Sequence, residues 1–207
     1  MKSTKLARFA LVGLTAFLVQ AHSTSAVAAQ APTPTLNPPP PSFVSCNAVG
    51  NGTICMGDLT FHEDNVDTGI TCGSGPSAFN PVDQSFADTH ATWYYDQAGN
   101  LTHITSHTKW YSNQWVNPRT GTAVPYQQHD NYSVVLTVPG DLSTATTTYT
   151  GDNIFQPAHS AAIFLNAGRV VYGSDGSIAF RAGPQSFLDL FVDGDLSVLE
   201  PLCAALA

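Results

Sequence analysis

His90, His103 and His107 are the first residues of this chain whose type and spacing could do chemistry, because imidazole both binds metals and carries protons near neutral pH. If Ala98 and Gly99 form a hairpin tip, the register sets His90 opposite His107 and Tyr94 opposite His103. A cross-strand pair lies about 5 Å apart and could share an ion. His103 and His107, four residues apart on one strand, are separated by about 13 Å and cannot. The opposite face of this hairpin carries Ala91, Trp93, Tyr95, Ile104 and Trp110, which points it at the core. The histidines then lie outside with Thr92, Thr105 and Lys109, and two imidazoles make an incomplete ligand shell. A solvated polar face is the favoured reading.

A second candidate is Asp189 to Glu200, DLFVDGDLSVLE. It fits a calcium loop at Asp189 (first), Asp193 (fifth), Gly194 (sixth), Leu196 (eighth) and Glu200 (twelfth). Phe191 stands third, where an oxygen ligand belongs, and no second loop accompanies it. Calcium held by Asp189, Asp193, Asp195 and Glu200 is therefore one expectation, and no other cofactor is expected. The competing reading is a turn over Asp193-Gly194-Asp195 followed by a helix with capping-box spacing from Ser197 to Glu200.

Two weaker sets remain. Glu63, Asp64 and Asp67 supply carboxylates of the kind used in acid–base catalysis, but no residue pattern sets a second carboxylate across from Glu63. Trp93, Tyr94, Tyr95, Trp110, Tyr111, Trp115, Tyr126 and Tyr132 fall on three successive strand-like runs. They are read as a packed aromatic core, with an apolar ligand pocket as the alternative. The chain contains no G-x-S-x-G, H-E-x-x-H or phosphate-loop motif. Sequons at Asn51, Asn100 and Asn131 matter only in a host that glycosylates exported proteins.

These residues need a frame. Lys2, Lys5 and Arg8 precede the uncharged run Phe9 to Val19, and Ala26-Val27-Ala28 follows as a cleavage site. Residues 1–30 read as a signal peptide, because an apolar run this short does not span a bilayer about 30 Å thick. Residues 31–42 (APTPTLNPPPPS) form a proline-rich linker expected to be extended and to pack little. Residues 43–207 then make one domain.

Removal of the signal leaves Lys109, Arg119, Arg169 and Arg181 against 15 acids, a net charge of −11, compared with −8 for the whole chain. Such a surface repels nucleic acid and anionic membrane, and nothing in the mature chain is apolar enough to insert. The expected partner is a small apolar or neutral ligand. Cys46, Cys55, Cys72 and Cys203 all survive cleavage, and an exported chain oxidises them. Of three possible connectivities, Cys46–Cys55 and Cys72–Cys203 are preferred.

Between the cysteines, alternating runs rich in Thr and aromatics are separated by DQAGN, NPRTG, PGD, NAG and SDG. Short connections make an antiparallel meander of about eight strands. With few charges to blunt an edge, the meander is expected to close into a small up-and-down β-barrel, with a β-sandwich as the alternative. A short helix closes the chain over Leu202, Cys203 and Leu206.

DTGITCGSG (Asp67 to Gly75), VPGDL (Val138 to Leu142) and GPQSFLDLFVDGD running into VLEPLCAAL (Gly183 to Leu206) resemble a family of secreted bacterial proteins of unknown function. The resemblance covers most of Cys46 to Ala207. It implies a single domain with cysteines at both ends and brings no activity with it. Two functions stay open: a secreted, non-enzymatic binding or surface-interaction domain, or a secreted barrel isomerase or hydrolase using His and Asp/Glu side chains.

Overall fold

The computed structural model describes residues 34–157 and 160–207. The expected signal peptide over 1–30 and the first residues of the linker lie outside them. Eight strands form a single antiparallel sheet in sequential order: β1 (Ser45–Val49), β2 (Gly52–Asp67), β3 (Val82–Tyr95), β4 (Leu101–Val116), β5 (Ala123–Leu136), β6 (Ala145–Phe155), β7 (Phe164–Tyr172) and β8 (Ile178–Ala182). The fold is mainly β, as its Thr- and aromatic-rich alternation predicts. Two short helices end the chain, α1 (Ser186–Phe191) and α2 (Glu200–Leu206).

The meander stops at β8. Among the described residues no ladder joins β8 to β1, so the sheet is not closed into the expected barrel, nor is it split into two packed sheets. It is nonetheless concave: Tyr126 on β5 reaches over β4 to Asp83 on β3, and the Phe61 ring on β2 meets Trp110 on β4 over β3. Closure is not needed to bury this inner face, because other segments fill its two ends. At one end Leu190, Leu199, Leu202 and Leu206 of the helical tail pack on Trp115, Val124, Tyr126, Phe155 and Phe164. At the other, Leu36, Phe43 and Val44 cover Trp93, Tyr95, Leu101, Val134 and Leu136. β1 and β8 are five residues each, and short outer strands limit the exposed edge.

The end formed by Leu36 and Phe43 corrects the expectation of a linker that packs little. From Pro34 onward the chain is part of the fold. Asn37 donates its N–H to the Gly99 carbonyl and accepts from Leu101 N–H, both at 2.8 Å, while Tyr95 Oη donates to the Pro38 carbonyl at 3.0 Å. Proline removes backbone donors but leaves carbonyls, and the fold uses them. Glycine makes room for this strap. A Cβ on Gly57 would stand 2.5 Å from the Phe43 carbonyl oxygen, and one on Gly99, itself at φ +86°, would stand 2.7 Å from that of Thr35.

The central hairpin has the expected register, with His90 opposite His107 and Tyr94 opposite His103. The NAG stretch does not. Asn166, Ala167 and Gly168 lie inside β7, where Gly168 lets the Ala182 backbone of β8 approach closer than any side chain would allow. β7 begins at Phe164, and residues 158 and 159 before it lie outside the described residues.

Both preferred disulfides are formed. Cys46–Cys55 links directly opposed residues of β1 and β2, and Cys72–Cys203 ties α2 to the loop before β3. No described helix is long and apolar enough to cross a membrane.

Candidate functional site

Alternation sends Glu63 of β2, Asp83 and Ser85 of β3 and Tyr126 of β5 to the concave face. Two bulges bring the neighbouring strands into line with them. In β2, Asn65 is an extra residue between Asp64 and Val66; in β4, Ser112 takes up a one-residue slip against both β3 and β5. Asn65 and Ser112 sit at φ 57° and 56°, the two non-glycine residues with positive φ among those described. That conformation is costly for residues carrying a Cβ and is concentrated at functional sites. The Ser112 bulge has a direct result. Unbroken alternation from Trp110 would turn Asn113 and Trp115 outward, whereas both are buried facing the interior.

The bulges surround a carboxyl pair. Tyr126 Oη donates to Asp83, 2.9 and 3.0 Å from its two oxygens, and Glu63 lies near enough to Asp83 to act on its carboxyl. Neighbouring carboxyl groups disfavour each other's ionised form. Burial pushes the Asp83 carboxyl up to about 7, and Glu63 adds to the rise through its hydrogen bond and its charge. Burial also raises the Tyr126 phenol, which therefore stays a donor.

Beside the pair are polar atoms with no satisfying partner. Both side-chain atoms of Asn113 lack one, and Asn113 lies opposite Tyr126. The Ser85 hydroxyl, opposite Glu63, is near enough to influence the Tyr126 phenol yet forms no well-directed hydrogen bond. Asn153 Oδ1, two strands away, is the fourth such atom. Buried amides and hydroxyls are nearly always paired, so four such atoms on one concave face mark a place for a ligand or ordered water.

Further along β5, Asp130 is buried and fully used. It accepts from Trp110 Nε1, Gln128 Nε2 and Tyr149 Oη, each at 2.7 Å. Burial raises its carboxyl while the three donors hold it down. Gln128 in turn accepts from Asn153 Nδ2 at 2.8 Å, which joins this hub to the unpartnered atoms.

The residues singled out by type alone lie elsewhere. His90 contacts Asp58 at 2.7 Å, His107 contacts Asn131 at 2.8 Å and His103 contacts Ser133 at 3.0 Å, all on the convex face. His90 and His107 border a shallow groove there of about 310 Å³, lined mostly by threonine, serine and asparagine. In the calcium-like stretch, Arg181 occupies the carboxylates, bonding Asp189 at 2.7 Å and Asp193 at 3.0 Å. Asp195 accepts from the N–H and hydroxyl of Ser197, and Glu200 opens α2. Among the described residues no three His, Cys, Asp or Glu side chains converge on a common point. The aromatic set divides by face: Trp93, Tyr95, Trp110, Trp115, Tyr126 and Tyr132 line the interior, and Tyr94 and Tyr111 lie outside.

Of the acidic group at His62-Glu63-Asp64, only Glu63 faces inward, and its partner is Asp83. The sequence carried half a signal for it. Inward parity of Glu63 follows from Cys55, but pairing with Asp83 depends on register and on the Asn65 bulge. Set against protein families, curated proteins and solved structures, the chain matches none of them.

The carboxyl pair has a measurable consequence for stability. An acid whose folded value lies above its unfolded value near 4 binds extra protons when folded, so stability falls as pH rises from about 4 to about 7. Asp67, Asp141 and Asp195, held low by their hydrogen bonds, act in the opposite sense at more acid pH. Comparison with Asp83→Asn isolates the pair. Thermal melts from pH 4 to 8 should show the wild type losing ground to the variant through this window; parallel curves would contradict the assignment.

Proposed function

We propose that the chain is a secreted, disulfide-braced β domain that binds a small neutral molecule on the concave face of its sheet. What carries this reading is the unpartnered Asn113 side chain, backed by Ser85 and Asn153, on a face that also carries the Trp115, Tyr126 and Phe155 rings. An amide lacking both donor and acceptor partners is complemented by a hydroxyl or amide, and the Trp115 and Tyr126 rings suit an apolar body. Of the expected apolar or neutral ligands, this favours one that also carries a polar group. Two disulfides support an oxidising compartment, and the run over residues 1–30 supports export to it.

The reading is tested by tryptophan fluorescence during titration with benzyl alcohol, which combines a ring with a hydroxyl. Saturable quenching is expected in the wild type and should weaken at least tenfold in Asn113→Leu, which loses about 1.4 kcal/mol or more of binding. A linear, unsaturated response from the wild type would count against the site. The isomerase or hydrolase alternative loses its histidines to the convex face but keeps its carboxylates. A surface-interaction role would rest on the convex groove instead, and there the same titration would give no response.

A further inference from the structure

We infer that the Glu63–Asp83 pair receives the ammonium group of a small organic amine. The inference rests on the reading of the concave face as a ligand site and replaces its neutral ligand by a cationic one.

Among the described residues the pair has no cation of its own. Of the four lysine and arginine residues described, Arg181 is held by Asp189 and Asp193, and Arg119 donates to the Pro76 carbonyl at 2.7 Å. Arg169 lies over the Phe180 ring, and Lys109 is an exposed residue of β4 opposite Asp88. The groups facing the pair are acids or neutral donors: Tyr126 from β5, Ser85 from β3 and Asn113 from β4. Asp67, at the end of β2, is committed to Gly69 N–H and Asn80. Carboxylates withdrawn from water are ordinarily matched by a cation, and among the described residues this half-buried pair has none.

The acceptors suit an ammonium. It carries three N–H donors, and the site offers carboxylate oxygens, Asn113 Oδ1 and Ser85 Oγ, the last two without partners. Asn113 is 5 % exposed and Ser85 0 %, so neither is satisfied by bulk water. Trp115 lies directly opposite Asp83, and a ring face adds attraction for a cation. A hard metal ion fits less well, since it wants six or more oxygens and the pair brings two carboxylates. The outer edge of β2 is unpaired near Glu63. β1 pairs with β2 only as far as Met56, and among the described residues no strand covers β2 beyond it, where Glu63 lies.

Replacing the proton of the raised Asp83 carboxyl by a cation gives binding a pH signature. Titration calorimetry with benzylamine, a cation throughout the range, is compared with isosteric benzyl alcohol at pH 5, 6, 7 and 8. Benzylamine affinity should rise about tenfold per pH unit between 5 and 6.5 and level off above 7, while that of the alcohol stays flat. Asp83→Asn and Glu63→Gln, either of which suffices if the other fails to fold, should abolish both the slope and the preference for the amine. Equal, pH-independent binding of the two probes would overturn the inference and leave the neutral-ligand reading intact. Binding of neither would overturn both.

Discussion

Replacing Cys72 and Cys203 together by serine should lower the unfolding free energy by about 5 kcal/mol, the cost in the chain-entropy model of releasing a loop this long. The bridge spans a sequence separation of 131 and so constrains most of the domain in the unfolded state. The Cys46–Cys55 bridge, with a separation of 9, closes a small loop and should contribute about 3 kcal/mol. A domain of this size has roughly 5–15 kcal/mol in total, so the long bridge alone decides whether it survives moderate warming. Its loss should also act locally. α2 holds Leu202 and Leu206, both fully buried, over Trp115 and Phe155, and a freed tail uncovers that end of the sheet. Urea unfolding of the double variant, with the reduced wild type as a second measure, tests this. A difference under 1 kcal/mol would mean that packing of the tail, and not the cross-link, closes this end.

Asp130→Ala should cost about 3–5 kcal/mol, because one truncation strands three buried donors: Trp110 Nε1, Gln128 Nε2 and Tyr149 Oη. Asp130→Asn keeps one acceptor oxygen and the shape of the side chain, so it should recover about half of the loss. The two substitutions should also diverge with pH. The Asp130 carboxyl is raised by burial, so the charged wild type is penalised as pH rises, whereas the amide is not. The deficit of Asp130→Asn should therefore shrink as pH is raised above the ordinary carboxylate range, for example on going from pH 5 to pH 8. Urea titrations at both pH values, followed by tryptophan emission, give the comparison. A loss below 1 kcal/mol for Asp130→Ala would show that water replaces the carboxylate and that the hub is not closed to solvent.

The amino-acid order by itself determined the antiparallel meander, the hairpin register that sets His90 against His107, and the placement of that histidine face outside; among three cysteine connectivities it only favoured the one that the structure forms. These depend on local physics: period-two burial, short turns and the proximity of the chain ends. The tertiary structure alone decided three matters. It left the sheet open, because the helical tail and the strap from Pro34 to Val44 fill the two ends that closure would otherwise have had to bury. It placed Arg181 among Asp189 and Asp193, residues that by spacing resembled ion ligands. It also assembled Glu63, Asp83, Asn113 and Tyr126 from four strands, through bulges at Asn65 and Ser112. A single left-handed residue reverses the facing of every side chain beyond it. Neither asparagine nor serine announces in a sequence that it will adopt that conformation, because the surrounding ladder imposes it.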